Sequence, residues 1–163
     1  MRWSEPKLAS EITIEQEDPR RADVIALIKA LNAHHDGLYP PEANFHLDID
    51  ALSSPDIIFL VARQEGEAIG IAALWLRQEW DLGEVKRMFV IPAARGHGLA
   101  SRMLARIEQL ARDHRIPRLM LETGALSVEA LRLYERAGFL RRGPFADYPN
   151  APLSIFMEKS LTS

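Results

Sequence analysis

The stretch from Glu84 to Ser101 restricts what this chain can fold into more than any other segment. Glu84 to Ile91 is an apolar strand run and Pro92-Ala-Ala a short link. Arg95-Gly96-His97-Gly98 is a glycine-spaced basic turn, and Leu99 opens an amphipathic helix. A helix entered through such a turn leaves several backbone N–H groups unpaired at the positive end of its dipole. Arg95 and His97 place side-chain donors beside them. The result is a receptor for a phosphate or diphosphate, built chiefly from main chain. A plain surface turn uses the same glycines, but here the helix follows at once and its free N–H groups, through Ala100 and Ser101, need a partner.

Other phosphate loops fit less well. Gly96-x-Gly98-x-x-Ser101 lacks the last small residue of a dinucleotide fingerprint and follows a Pro-bearing link near mid-chain, not an opening βαβ unit. The Gly-Lys-Ser/Thr of a P-loop is absent. Coenzyme A suits the turn better. Its diphosphate can rest on the N–H groups while its peptide-like pantetheine arm pairs with a strand edge at Met88, Phe89 and Val90.

The 163 residues suit one domain, 1–163, with a full-sized core. A net charge of −3 argues against a broad nucleic-acid-binding face. With no Cys there is no disulfide framework, thiolate metal site or cysteine nucleophile. The N-terminus Met1-Arg-Trp-Ser-Glu-Pro-Lys lacks the apolar core of a signal peptide. The apolar run Ala68–Leu76 is far short of the roughly 20 residues that span a bilayer. A cytoplasmic protein without membrane partners is expected.

Alternation predicts a first strand over Ser10–Gln16. Asp18-Pro19 reads as N-cap and first helical residue of a helix to about Asn32, and His34 to Ser54 as a loop with one short helix. Strands are predicted at Ile57–Gln64, Ala68–Gln78 and Gly83–Ile91, then a helix from Gly98 to His114 and a strand at Arg118–Thr123. Ser127 caps a helix through Ala137, with Gly138 as its C′ residue, and strands at Phe139–Arg142 and Leu153–Glu158 end the sheet. The class is α/β of the α+β type, with a mainly antiparallel sheet.

A second motif follows the first by about 30 residues: Ser127-x-x-Ala130-x-x-Leu133-Tyr134-x-x-x-Gly138-Phe139. With Arg95-x-x-Gly98-x-Ala100 it resembles the two signatures of the GNAT acetyltransferase superfamily, Arg/Gln-x-x-Gly-x-Gly/Ala and Asn-x-x-Ala-x-x-Leu-Tyr-x-x-x-Gly-Phe. The resemblance runs from about Ile12 to Glu158, and is nearest to a bacterial subgroup of small GNAT proteins. It implies a GNAT fold of six to seven strands and about four helices, its sheet splayed between the fourth and fifth strands. Acetyl-CoA would lie in that cleft as cosubstrate, with no metal. A homodimer is an expectation from the resemblance alone. Ser127 stands where the family has Asn, which shortens or removes a side-chain contact to the cofactor.

Acetyl transfer to an amine needs a base and an acid. Tyr134 suits the acid, because a phenol stays protonated and uncharged at neutral pH; a core-edge aromatic is the alternative. Glu84 is the expected base, acting through water, with Glu122 as competitor; pairing with Lys86 or Arg87 would give Glu84 a structural role instead. The Val90 N–H or a neighbour would hold the oxyanion. His34, His35 and His46 are weaker candidates, and no spacing suggests metal ligation. The resemblance places the acceptor pocket in the segments holding Glu42, His46, Asp48, Asp147 and Tyr148, a mix suited to a small cationic or polar amine. The expected reaction is direct attack by a primary amine of a small molecule, or of a peptide or protein. The rival is a non-catalytic acyl-CoA sensor of the same fold.

Overall fold

Four apolar runs pair in succession as an antiparallel meander: β1 (Ile12–Gln16), β2 (Ile57–Gln64), β3 (Glu67–Arg77) and β4 (Leu82–Val90). This computed structural model describes residues 11 to 162, so Met1–Ser10 of the expected first strand and leader reading lie outside the described residues. Beyond the meander come α3 (Leu99–Asp113), β5 (Arg118–Gly124), α4 (Val128–Arg136), β6 (Leu140–Arg142) and β7 (Ser154–Ser160). Helices α1 (Ala22–Leu38) and α2 (Ile49–Leu52) fill the β1–β2 connection. The strand order is β1-β2-β3-β4-β5-β7-β6, and β4–β5 is its parallel pair.

That parallel pairing is short. Only Gly83 with Leu119 and Glu84 with Met120 are in register, after which the two strands part. Two residues of β4, Arg87 and Met88, oppose Ala72 of β3 where the register shifts. Arg87 takes a left-handed backbone, φ 55°. Such a bulge adds twist and bends its strand, here just where β5 leaves. It also reverses the pleat, so that Met88 and Val90 join Val85 against α3 while Arg87 and Phe89 turn toward α1.

The larger core lies on the α3–α4 side: Met103, Leu104 and Ile107 of α3 meet Leu60, Leu74, Leu119 and Leu121 of the sheet. On the other side Val24, Leu27 and Ile28 of α1 cover Phe59, Ile71 and Phe89. A small third cluster, Leu82, Met120, Phe145 and Phe156, joins β4, β5 and β7.

Three expectations are corrected. Asp18 does not cap α1: its carboxylate accepts from the Arg20 N–H at 2.9 Å, closing a local turn, and the helix begins at Ala22 without a side-chain cap. The helix also runs past Asn32 to Leu38, because Gly37 costs only about 1 kcal/mol near a helix end and no proline intervenes before Pro40. Ser127 occupies the N-cap position of α4 but makes no capping bond; its hydroxyl is paired instead with that of Tyr39 at 2.8 Å.

Candidate active site

The turn before α3 has the predicted form. Gly96 and Gly98 adopt φ of 83° and 77°, conformations that glycine takes without a Cβ penalty. No side chain caps the helix, and the N–H groups from Gly96 to Ser101 have no partner among the described residues. An ideal Cβ at Gly96 or Gly98 would meet nothing within 4 Å, so the turn opens onto free space. His97 is exposed there. Arg95 behaves differently from the expectation. Its Nε donates to the Val90 carbonyl at 2.9 Å and its guanidinium lies 5.6 Å from the Phe89 ring, so the chain folds back and buttresses β4.

Beside the turn runs the open edge of β4. The Ile91 N–H donates to Ile69 on β3. In an antiparallel ladder the next residue, Val90, then faces away from β3, as its carbonyl's bond to Arg95 also shows. Its N–H therefore looks toward the gap that β5 has vacated.

Tyr134 of α4 is buried in the same cluster as Val90 and Leu121, on a well-defined cap. Phe139 N–H donates to the Tyr134 carbonyl and Gly138 N–H to that of Glu135, with Gly138 at φ 96°. This is the double bond of a Schellman ending, and the Phe139 ring meets Tyr134 edge-on at 5.8 Å as the accompanying apolar contact. The spacing Tyr-x-x-x-Gly-Phe thus fixes the tyrosine through helix termination. Its hydroxyl has no hydrogen-bond partner among the described residues. Burial, aided by the nearby Glu122 charge, raises its pKa and keeps it protonated.

The two carboxylates differ sharply. Glu84 is fully buried and its oxygens are taken. Oε1 accepts from Arg77 Nη1 at 3.0 Å; Oε2 accepts the Tyr148 hydroxyl and lies 3.3 Å from Lys86 Nζ. Lys86 donates in turn to Tyr148 at 2.8 Å and to the Phe45 carbonyl at 2.9 Å. Arg77, stacked 3.9 Å over Trp75, also reaches Asp147 at 3.3 Å. Glu122 on β5 accepts one bond, from the Ser154 hydroxyl at 2.8 Å. Burial pushes its carboxyl above the ordinary glutamate value, Glu84 adding to the rise while Ser154 and Lys86 oppose it.

Of the expected acceptor residues, His46, Asp147 and Tyr148 share one pocket of about 270 Å³ with Trp75, Arg77 and Lys86. Glu42 does not join them; it is exposed on the 3₁₀ turn Pro41–Ala43. Asp48 is spent as the N-cap of α2, accepting from Ala51 N–H at 2.8 Å. The acids thus leave little negative charge to attract a cation, because Glu84 and Asp147 are matched by Lys86 and Arg77.

Sequence reading missed Arg77 and Tyr39. Tyr39, buried at the end of α1, accepts from Leu126 N–H at 2.9 Å and pairs with Ser127. A Cβ on Gly124 would lie 1.9 Å from its hydroxyl, so the glycine of Leu121-Glu-Thr-Gly124 exists to seat this ring. That glycine was the available signal. For Arg77 the signal was its place in the β3–β4 hairpin, which brings Glu84 to it, whereas Asp147 comes from a distant loop.

The family description Acetyltransferase (GNAT) family matches residues 24–139. An IAA acetyltransferase of Azospirillum brasilense is 46% identical over 150 residues, covering 92% of this chain and 98% of that protein. A crystal structure from Klebsiella pneumoniae, assigned as an acyl-CoA N-acyltransferase, superposes with a TM-score of 0.78 at 38% identity, covering 93% of this chain and 98% of that one. The PaiA N-acetyltransferase of Thermoplasma acidophilum, solved with coenzyme A, shares the fold at a TM-score of 0.70 and 18% identity, covering 92% and 99%. From the splayed sheet, the open N–H turn and these likenesses together, the chain belongs to the acetyltransferase (GNAT) family and is a GNAT-type N-acetyltransferase.

Proposed function

We propose that this chain uses acetyl-CoA to acetylate the primary amine of a small molecule by direct attack. The observation that carries the reading is the unpartnered N–H turn at Gly96–Ser101 set beside the open edge of β4. Residues Gly96, Gly98, Leu99 and Ala100 would hold the diphosphate through their N–H groups, and Met88 to Val90 would pair with the pantetheine arm. The relative named as an IAA acetyltransferase and the fold neighbour holding coenzyme A agree with this use.

Acetyl-CoA, once bound, supplies an activated thioester carbonyl. The residues must then handle two protons and one developing charge. An alkylammonium with a pKa of about 10.4 is neutral in roughly one molecule in 2,500 at pH 7, so the acceptor needs a base. Glu122 fits that task better than Glu84. It carries a single neutral hydrogen bond and burial raises its proton affinity, whereas both oxygens of Glu84 are engaged by cations and a phenol. Glu84 instead holds Lys86 and Tyr148 in place. The Val90 N–H would receive the charge that builds on the carbonyl oxygen. Tyr134, free of other partners, would give its proton to the departing sulfur.

Titration calorimetry with coenzyme A, followed by a thiol-release assay with acetyl-CoA and a panel of amines, tests this. Micromolar-range binding and amine-dependent thiol release are expected. Binding without release for any amine would instead mark a sensor, and no binding would remove the whole reading.

A further inference from the structure

The reaction as described leaves one buried cation without a task. Arg87 is only 8% exposed, held on the bulge of β4 in its left-handed backbone. Its Nη2 meets the Asn32 side chain and, at 3.5 Å, the Ile28 carbonyl of α1, both neutral groups. Its Nε is sealed from solvent with no partner, and Nη1 has none among the described residues. No carboxylate among the described residues lies within ion-pair distance. The nearest acid in its field, Asp36, is 65% exposed and stands 4.0 Å from His35, not beside Arg87. A desolvated guanidinium normally finds an anion. Burial here lowers its pKa to about 10, Asp36 offsetting only part of that.

Two histidines around it are in the same condition. His46 lines the acceptor pocket, and its ring stands edge-on to that of His35 at 5.9 Å. The Asn44 amide oxygen accepts from the His46 backbone, so its NH₂ faces His46 Nε2 at 3.3 Å and the imidazole proton belongs on Nδ1. That Nδ1 is buried with no hydrogen-bond partner among the described residues; Nδ1 of His35 also lacks a hydrogen bond there, Asp36 standing 4.0 Å away. Burial and the Arg87 charge hold the His46 pKa near 4, so the ring is a neutral donor at physiological pH.

Charge counting then fixes the ligand. Arg77 and Lys86 are matched by Glu84 and Asp147. Arg87 remains, with one positive charge and spare donors, and its charge acts on His46, which lines the pocket, while Lys86 of the same pocket acts on the proposed base Glu122. A monoanion satisfies it; a dianion such as phosphate would need a second free cation. We propose that the acceptor is a small amino-carboxylate, an amine bearing one free carboxylate, and that Arg87 with His46 receives the carboxylate while the amine faces Glu122. The proposal rests on the acetyl-transfer reading above. It narrows the expected small cationic or polar amine to one that also carries a carboxylate.

The test uses the full chain with acetyl-CoA and thiol release as readout. Acceptors are the common L-amino acids, short β- and γ-amino acids, and for each its carboxamide, which keeps the amine and removes the charge. At least one amino acid should turn over, with its matched amide, which keeps part of the hydrogen bonding, lower in kcat/KM by about a hundredfold or more, below the roughly 10⁴–10⁵-fold ceiling for a site built to pair a substrate group. Arg87→Gln should raise KM for that amino acid by about the same factor and bring the ratio of acid to amide kcat/KM close to one, a readout that a general loss of activity would not move. Arg87→Lys, which keeps a charge in the fold, should recover part of the loss. Equal turnover of acid and amide by the native chain overturns the proposal while thiol release still upholds acetyl transfer. Turnover confined to amines without a carboxylate, or no turnover of any amino acid, overturns it too. Failure to bind coenzyme A would instead sink the acetyl-transfer reading itself.

Discussion

Glu84 and Glu122 stand on neighbouring strands, and their surroundings assign them opposite tasks. Replacing Glu84 with Gln removes the charge that two buried cations share, and breaking a buried pair by losing one partner costs about 3–5 kcal/mol. Denaturant unfolding of Glu84→Gln should show that loss; an unchanged midpoint would mean that Arg77 and Lys86 have other anions. Glu122→Gln should do the reverse. Burial raises the folded pKa of Glu122, so its contribution to stability is full at acid pH and is lost as pH rises through that value. The Gln variant should therefore match the native chain in acid and equal or exceed it at neutral pH. Its kcat/KM should fall by about 10²–10⁴-fold, the range for a missing general base. The acid limb of the native pH profile, lying above the ordinary 4.5 of glutamate, should vanish with it. Tyr134→Phe is expected to lower kcat by about 10²-fold with coenzyme A affinity nearly intact, because the phenol has no structural partner to lose. A Tyr134→Phe enzyme with native kcat would return Tyr134 to the role of a core aromatic.

Among the elements, α3 and α4 show why function was readable here. Both begin or end on glycines whose positive φ the chain needs, and those termini form the proposed site. Local chemistry fixed them, so spacing alone located the N–H turn, the Tyr134 mount and every strand of the sheet to within a residue or two. The α1 region was misread because its determinants are not local. Asp18-Pro19 makes a satisfactory cap on paper, yet the carboxylate finds the Arg20 N–H first, and the helix runs to Leu38, after which Tyr39 is held by Leu126 and Ser127 far along the chain. Likewise Ser127 looks like a cap until Tyr39, 88 residues away, claims its hydroxyl. The acceptor pocket drew its acids from loops, and only the register of β3 and β4 shows which cations neutralise them. At the α3 terminus, Gly98→Val should cost about 1–2 kcal/mol of stability for its left-handed backbone. Coenzyme A affinity should drop much further, since the new side chain enters the open space before the N–H groups. Affinity falling no more than stability would contradict that assignment.

At the scale of the whole molecule, the sheet is a four-stranded meander joined to a β5–β7–β6 unit through two registers of parallel pairing. The join is tight: a Cβ on Gly83 would approach Leu74 Cδ1 to 2.9 Å and Leu119 Cδ2 to 3.1 Å. Close packing at that point lets the strands diverge above it without separating the two halves. A ligand lying along the open β4 edge, with its diphosphate on α3 and its acyl end near Glu122 and Tyr134, would bridge what the sheet leaves apart. Binding only the folded state stabilises it by RT ln(1 + [L]/Kd), about 2.7 kcal/mol at a hundredfold excess over Kd. Coenzyme A at that concentration should therefore raise Tm, and amide exchange should slow at Val90, whose N–H faces the gap, and at Gly96 to Ser101, whose N–H groups have no partner among the described residues. Gly83→Val, by wedging the join, should destabilise the chain by about 1–3 kcal/mol and also weaken coenzyme A, because the cleft angle is set there. If this variant lost stability but bound coenzyme A as the native chain does, the cleft would be shaped by the bulge at Arg87 and Met88 alone.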